Sequence, residues 1–220
     1  MKKILIVIIG VVIIIIGFGA AVFAPFASVT KGAPIGAYLA PRTALLVIDI
    51  QKDMTEKSGK RPLNLPQTNS IISVVNQLIQ NADKKDWLVV YITHEYPKKS
   101  PLRLVTKDFL LEGTPGAEID PRIKVINQNR FIKHKMDAFS NFGFDAFLRK
   151  NQVNHLLITG MAAEECVDRT CQGALNRKYA VTVISDAIAG RSNESRKKKI
   201  NDYERYGAHI AQVQSLIGVK

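Results

Sequence analysis

The 220-residue sequence predicts an α/β protein: a three-layer α/β/α sandwich on a six-stranded, mostly parallel sheet, preceded by a single N-terminal transmembrane helix. Three observations point there. From Thr43 onward, short β-rich runs alternate with longer segments of helical period, which is the pattern of βαβ units. Most of the short runs are apolar throughout, as strands covered on both faces must be. Ahead of them lies Ile4–Ala24, a 21-residue run without a charge.

That run follows Lys2 and Lys3 and ends at Pro25. At 1.5 Å per residue it would make a helix about 31 Å long, against a hydrocarbon core about 30 Å thick. It exceeds the usual apolar core of a cleavable signal peptide, which makes a retained anchor the preferred reading and signal cleavage, giving a secreted or periplasmic protein, the alternative. The lysine pair would stay cytoplasmic and the remainder would lie on the outer face. Residues 25–42 carry Pro25, Pro34, Pro41, Gly32 and Gly36 with no helical or strand period, and are expected to be a tether. The folded domain is then 43–220.

Within it the expected strands are Ala44–Asp49, Trp87–Thr93, Arg130–Lys133, His155–Thr159, Ala180–Ser185 and Ala208–Gln214. Between the first two, Ile71, Ile72, Val74, Val75, Leu78 and Ile79 form the apolar stripe of a helix. Phe142–Lys150, Cys166–Arg177 and Glu194–Tyr206 are the further helices. An apolar content of 46% excludes disorder, and two cysteines are too few for a disulfide scaffold. The net charge of +12 suits anionic surfaces, lipid head groups among them, but no nucleic-acid reader motif accompanies it. The basic run Arg196–Lys199 is expected to be a solvated helix face.

Open α/β sheets bind ligands at the carboxyl ends of their strands. That rule selects Asp49, His94, Lys133 and the Gly160–Cys166 segment. Cys166 would open a helix, where the positive end of the dipole lowers a thiol's pKa and backbone N–H groups can receive an oxyanion; the alternative is a small buried apolar residue. A disulfide to Cys171 is disfavoured, because five residues along a helix separate Cα atoms by about 8.6 Å. Asp49 closes an apolar strand as a proton acceptor or a turn residue, and Lys133 ends its strand as a catalytic or a surface lysine. His94 either contacts substrate or caps its strand.

Four ordered segments, ALLVIDIQKDM (44–54), GTPGAEIDPRI (113–123), FIKHKMDAFSNFGFDAFLRKNQVNHLLITGMAAEECV (131–167) and TVISDAIAG (182–190), resemble the isochorismatase-like cysteine hydrolases. That family includes nicotinamidases and N-carbamoylsarcosine amidohydrolase-like amidases, and the resemblance covers essentially all of 43–220. It implies a Rossmann-like sheet and hydrolysis of a small non-peptide C–N bond through a thioester. Asp49 would be the base, Lys133 the assisting lysine and Cys166 the nucleophile. A cis peptide would lie at Met161–Ala162 and aim N–H groups at the oxyanion, and Gln51 and Phe139 would line the pocket by analogy.

The departures matter as much. The metal-binding Asp-x-His of nicotinamidases corresponds here to His94 and Tyr96, so neither a metal nor any other cofactor is expected, and nicotinamide is a doubtful substrate. True isochorismatases lack the nucleophilic cysteine, which points away from vinyl-ether hydrolysis. Asp137 replaces the usual small hydroxyl residue and adds negative charge near Lys133. Relatives of the fold commonly associate, so a homo-oligomer is among the expectations. An ether or ester hydrolase without acylation of Cys166, and a non-catalytic binding domain displayed on a membrane, are the competing functions.

Overall fold

The computed structural model describes residues 24–100 and 102–218. Six strands, β1 (Arg42–Ile48), β2 (Trp87–His94), β3 (Arg130–Lys133), β4 (Val153–Met161), β5 (Ala180–Ala189) and β6 (His209–Ala211), form one sheet in the order β3-β2-β1-β4-β5-β6. Every pairing is parallel. The helices are α1 (Lys52–Thr55), α2 (Leu65–Asn81), α3 (Arg103–Thr106), α4 (Phe142–Lys150), α5 (Cys166–Asn176), α6 (Asn193–Tyr206) and α7 (Val213–Ile217).

The alternation of β1 explains the three layers. Ala44, Leu46 and Ile48 point to one face, where they pack with Phe144 and Leu148 of α4 and Val167 and Cys171 of α5. Leu45 and Val47 point to the other, against Ile71, Val75 and Leu78 of α2. Both faces are therefore apolar. Local chemistry sets the helix starts: Asn64 accepts from Gln67 N–H, Asn141 from Gly143 and Phe144, and Ser192 forms a reciprocal capping box with Ser195.

Three expectations need correction. The sixth strand is short, because the chain turns at Gln212 and residues from Val213 onward form α7. The basic run of α6 is only half solvated, since Lys199 reaches Asp168 at 2.8 Å and Arg196 reaches the Ile188 carbonyl at 3.4 Å. The stretch 25–42 is not a free tether over its first half: residues 26–35 lie along the folded body, held by hydrogen bonds from Met136, Arg149, Asn176 and Arg177. The expected membrane span falls, apart from Ala24, outside the described residues. Among the described residues no helix is long and apolar enough to cross a membrane.

Candidate active site

A parallel sheet brings all its strand ends to one edge, and the polar residues that end these strands meet there. Asp49 follows β1 with φ of 52°, in the left-handed region that only a small fraction of non-glycine residues adopt. His94 is the last residue of β2 and Lys133 the last of β3. Gly160, near the end of β4, has φ of 115°, and a Cβ there would lie 2.0 Å from the Ile48 carbonyl oxygen, so only glycine fits. The peptide Met161–Ala162 is cis, as the resemblance implies, and the loop delivers Cys166 to the start of α5.

Lys133 is the centre of the group. Its Nζ donates to Asp49 Oδ2 at 2.8 Å and to Cys166 Sγ at 3.1 Å, and lies 3.2 Å from His94 Nδ1. Those three contacts use all three N–H bonds of an ammonium. His94 then accepts at Nδ1 and carries its proton on Nε2. The other carboxylate oxygen, Asp49 Oδ1, is buried without a hydrogen-bond partner, although the Cys166 sulfur and an Asp49 oxygen lie within 4.8 Å of one another.

The electrostatics follow from one cation buried with two potential anions. Burial and the Asp49 charge push the Cys166 thiol well above its ordinary range, and the lysine opposes them without prevailing. This reverses the expectation from the helix dipole. Burial also raises Asp49, despite Lys133. Burial alone would lower Lys133, but the Asp49 charge and the Cys166 sulfur hold it above its usual value. His94 is held well below 6.5 by burial and by the neighbouring ammonium, so it is neutral. One negative charge thus balances one positive charge, and moving a proton from sulfur to Asp49 leaves the total unchanged.

Asp49, His94, Ala162, Glu165 and Cys166 open onto a cleft of about 340 Å³ including its mouth. Phe26, Met54, Tyr96, Phe109, Leu110 and Met136 complete its walls. Cys166 is partly exposed to it while Lys133 is 1% exposed.

Two candidates from the sequence lie elsewhere. Gln51 is a brace: its amide donates to the His94 and Ala117 carbonyls and accepts from His94 N–H, pinning the end of β1 to β2. Phe139 is buried against Phe144, Tyr179 and the Arg177 guanidinium, away from the cleft. Asp137 does not pair with Lys133; its Oδ2 accepts from the backbone and side chain of Thr30. Phe26 was hidden in the supposed tether, and Tyr96 and Phe109 in the Glu95–Arg122 segment, where no motif distinguishes a pocket aromatic from a core one.

Among the described residues, one group of ligand-type side chains is compact enough for a metal, namely Asp49, His94 and Cys166. The Lys133 ammonium already contacts all three, and a divalent ion there would face that charge directly. Tyr96, which the resemblance puts in place of a metal-binding histidine, offers a phenol that burial raises further from ionisation. The donor set does not fit the metal of those enzymes.

The isochorismatase domain model matches residues 43–215. The chain belongs to the isochorismatase domain family. An uncharacterized isochorismatase family protein of Bacillus subtilis is 29% identical over 69% of this chain and 82% of its own length. The N-carbamoylsarcosine amidase of an Arthrobacter species is 26% identical over 68% of this chain and 60% of its own. A crystal structure of an isochorismatase family protein from Desulfovibrio vulgaris superposes with a TM-score of 0.73 at 25% identity, covering 80% of this chain and 97% of that one. The six-stranded parallel sheet flanked by helices is the architecture of this hydrolase family.

Proposed function

We propose that this isochorismatase-family chain is a cysteine hydrolase that cleaves a small, non-peptide C–N bond of amide type through a thioester on Cys166. The observation that carries the reading is the single Lys133 ammonium within hydrogen-bond distance of both Asp49 and Cys166, two residues that line one cleft. The amidase among its relatives supports the bond type.

In the resting site the sulfur keeps its proton. As substrate binds, Asp49 Oδ1 takes that proton, the sulfur attacks the acyl carbon, and Lys133 passes its pairing from carboxylate to sulfur. The carbonyl oxygen becomes an oxyanion. Ala163 N–H is already bonded to Ala189, so the Ala162 and Cys166 N–H groups are the ones that would hold it. When the C–N bond breaks, the proton on Asp49 goes to the leaving nitrogen. Water then loses a proton to Asp49 and attacks the thioester, the C–S bond breaks, and the proton returns to sulfur.

Turnover of a panel of primary amides by the full-length protein, with and without Cys166→Ala, tests this. Loss of all measurable turnover in the variant, with an acyl adduct on the wild-type Cys166 by mass spectrometry, is expected. Undiminished turnover would falsify the mechanism, and turnover lost without any adduct would favour hydrolysis that does not acylate the sulfur.

We also propose that Ile4–Ala24 anchors this activity at the outer face of a membrane. Alkaline extraction of expressing cells should leave the protein in the membrane pellet at full length; a shortened, released form would mean signal cleavage.

A further inference from the structure

We infer that the segment preceding the domain is part of the active site: residues 26–35 form a strap, Asp137 and Arg177 latch it, and Phe26 selects neutral substrates with an apolar acyl group. This deepens the hydrolase reading and rests on it. Phe26 is 8% exposed. Its ring stacks on Tyr96 at 5.6 Å and meets the edge of His94 at 5.4 Å, and His94 and Tyr96 lie 4.6 Å apart. Three rings from two parts of the chain thus form one wall of the cleft that holds Cys166. The Phe26 carbonyl accepts from Met136 N–H, another lining residue, at 3.1 Å.

Four residues further on, the strap is fixed from beneath. Asp137 Oδ2 accepts from Thr30 N–H at 2.8 Å and Thr30 Oγ1 at 2.6 Å, while Oδ1 accepts from Phe139 N–H at 2.9 Å. Arg177 donates to the Thr30 and Lys31 carbonyls and to Thr30 Oγ1, and its own carbonyl accepts from Ile35 N–H. Gly32 passes so close that a Cβ would lie 2.5 Å from Arg177 Nε. Buried charges cost several kcal/mol unless they are paired. Asp137 and Arg177 share Thr30 as a common partner, and although Oδ1 keeps Phe139 N–H and Arg177 keeps Asp145, the buried Oδ2 of Asp137 has its donors only while the strap is docked.

The lining explains the selectivity. Among the described residues the lining includes no lysine or arginine, the Lys133 ammonium beneath it is held by Asp49, His94 and Cys166, and Glu165 at its side is paired with Arg191, so no open cation faces the cleft to receive an anionic substrate. Apolar and aromatic side chains dominate the rest.

Access to Cys166 reads this directly in the full-length protein, whether or not the sulfur is a nucleophile for amides. At one fixed pH, its alkylation rates by iodoacetamide and by the bulkier N-benzyl iodoacetamide give a selectivity ratio. Phe26→Ala and Thr30→Val are each expected to change that ratio about fivefold or more, a size typical of losing one aromatic contact. Thr30→Ser, which keeps the hydroxyl, should retain the wild-type ratio. Where amides are turned over, Phe26→Ala should raise KM for apolar acyl amides about tenfold with little change in kcat. An unchanged ratio in folded Phe26→Ala overturns the role of Phe26. A changed ratio there with none in Thr30→Val overturns the latch. If no amide is hydrolysed but the ratios shift, the strap stands and the hydrolase reading falls.

Discussion

Two buried aspartates sit within reach of the first turn of α5, and their surroundings differ in one respect. Asp168 is saturated: Arg169 and Gln172 donate to Oδ2 at 2.7 and 2.9 Å, and Lys199 donates to Oδ1 at 2.8 Å. Asp49 has one cation on Oδ2 and nothing on Oδ1. A buried carboxylate oxygen left without a donor costs about 1–3 kcal/mol. A structural ion pair completes its hydrogen bonds, whereas a carboxylate with one oxygen open, on a side chain that reaches within 4.8 Å of the Cys166 sulfur, has room to receive a proton. Incomplete satisfaction, more than burial or charge, separates the proposed base from the structural anchor.

The sharpest break of that contrast is in turnover. Asp49→Asn should lower kcat on the order of 10³-fold while the protein stays folded, the size expected for losing a general base. Asp168→Asn should leave kcat within about threefold, because its carboxylate never meets substrate. Steady-state kinetics on the same amide compare them, and equal losses would erase the distinction.

At Asp168 the effect should fall on stability instead of turnover. Asp168→Asn removes the charge that Arg169 and Lys199 share, leaves Lys199 with Asp202 at 3.4 Å, and is expected to cost about 2 kcal/mol in urea unfolding, discounted for solvent screening of the lysine. The thiol titration sharpens the picture next. Since the Asp49 charge helps to raise Cys166, Asp49→Asn should move the alkylation midpoint of Cys166 down from its position above 9, even though turnover is lost. A midpoint that stays or rises would mean that the carboxylate and sulfur do not share one charge balance. The acid limb of wild-type turnover should lie above 3.8, because Asp49 must lose its proton and burial raises its pKa. The smallest effect is reserved for the other cysteine of α5. Cys171 is fully buried, and Cys171→Ala should cost about 1 kcal/mol with unaltered kcat.

Much of this molecule was readable from its residues. Continuous apolar runs located most of the strands, because a doubly covered strand leaves no polar face to obscure it, although β5 runs on to Ala189, past the expected end at Ser185. Asp49, Lys133 and the Cys166 loop were legible because each interrupts or ends such a run at the edge where ligands bind. Phe139 and Gln51 misled for the opposite reason: an aromatic beside the site and an amide after a strand look alike whether they face substrate or brace the backbone. Phe26 was invisible, since the Pro- and Gly-containing stretch around it has no period, and a segment without a period reveals nothing locally of what it packs against.

The sequence by itself determined the alternation of strands and helices, and with it the edge at which polar residues would gather. Side-chain period and strand length are local properties, so they survive being read one residue at a time. Only the tertiary structure decided that one ammonium serves both Asp49 and Cys166, that burial and the Asp49 charge push the thiol's pKa up, and that Asp137 faces Thr30 instead of Lys133. Those outcomes depend on distances between residues as many as 107 positions apart, and on burial that no single segment can create alone.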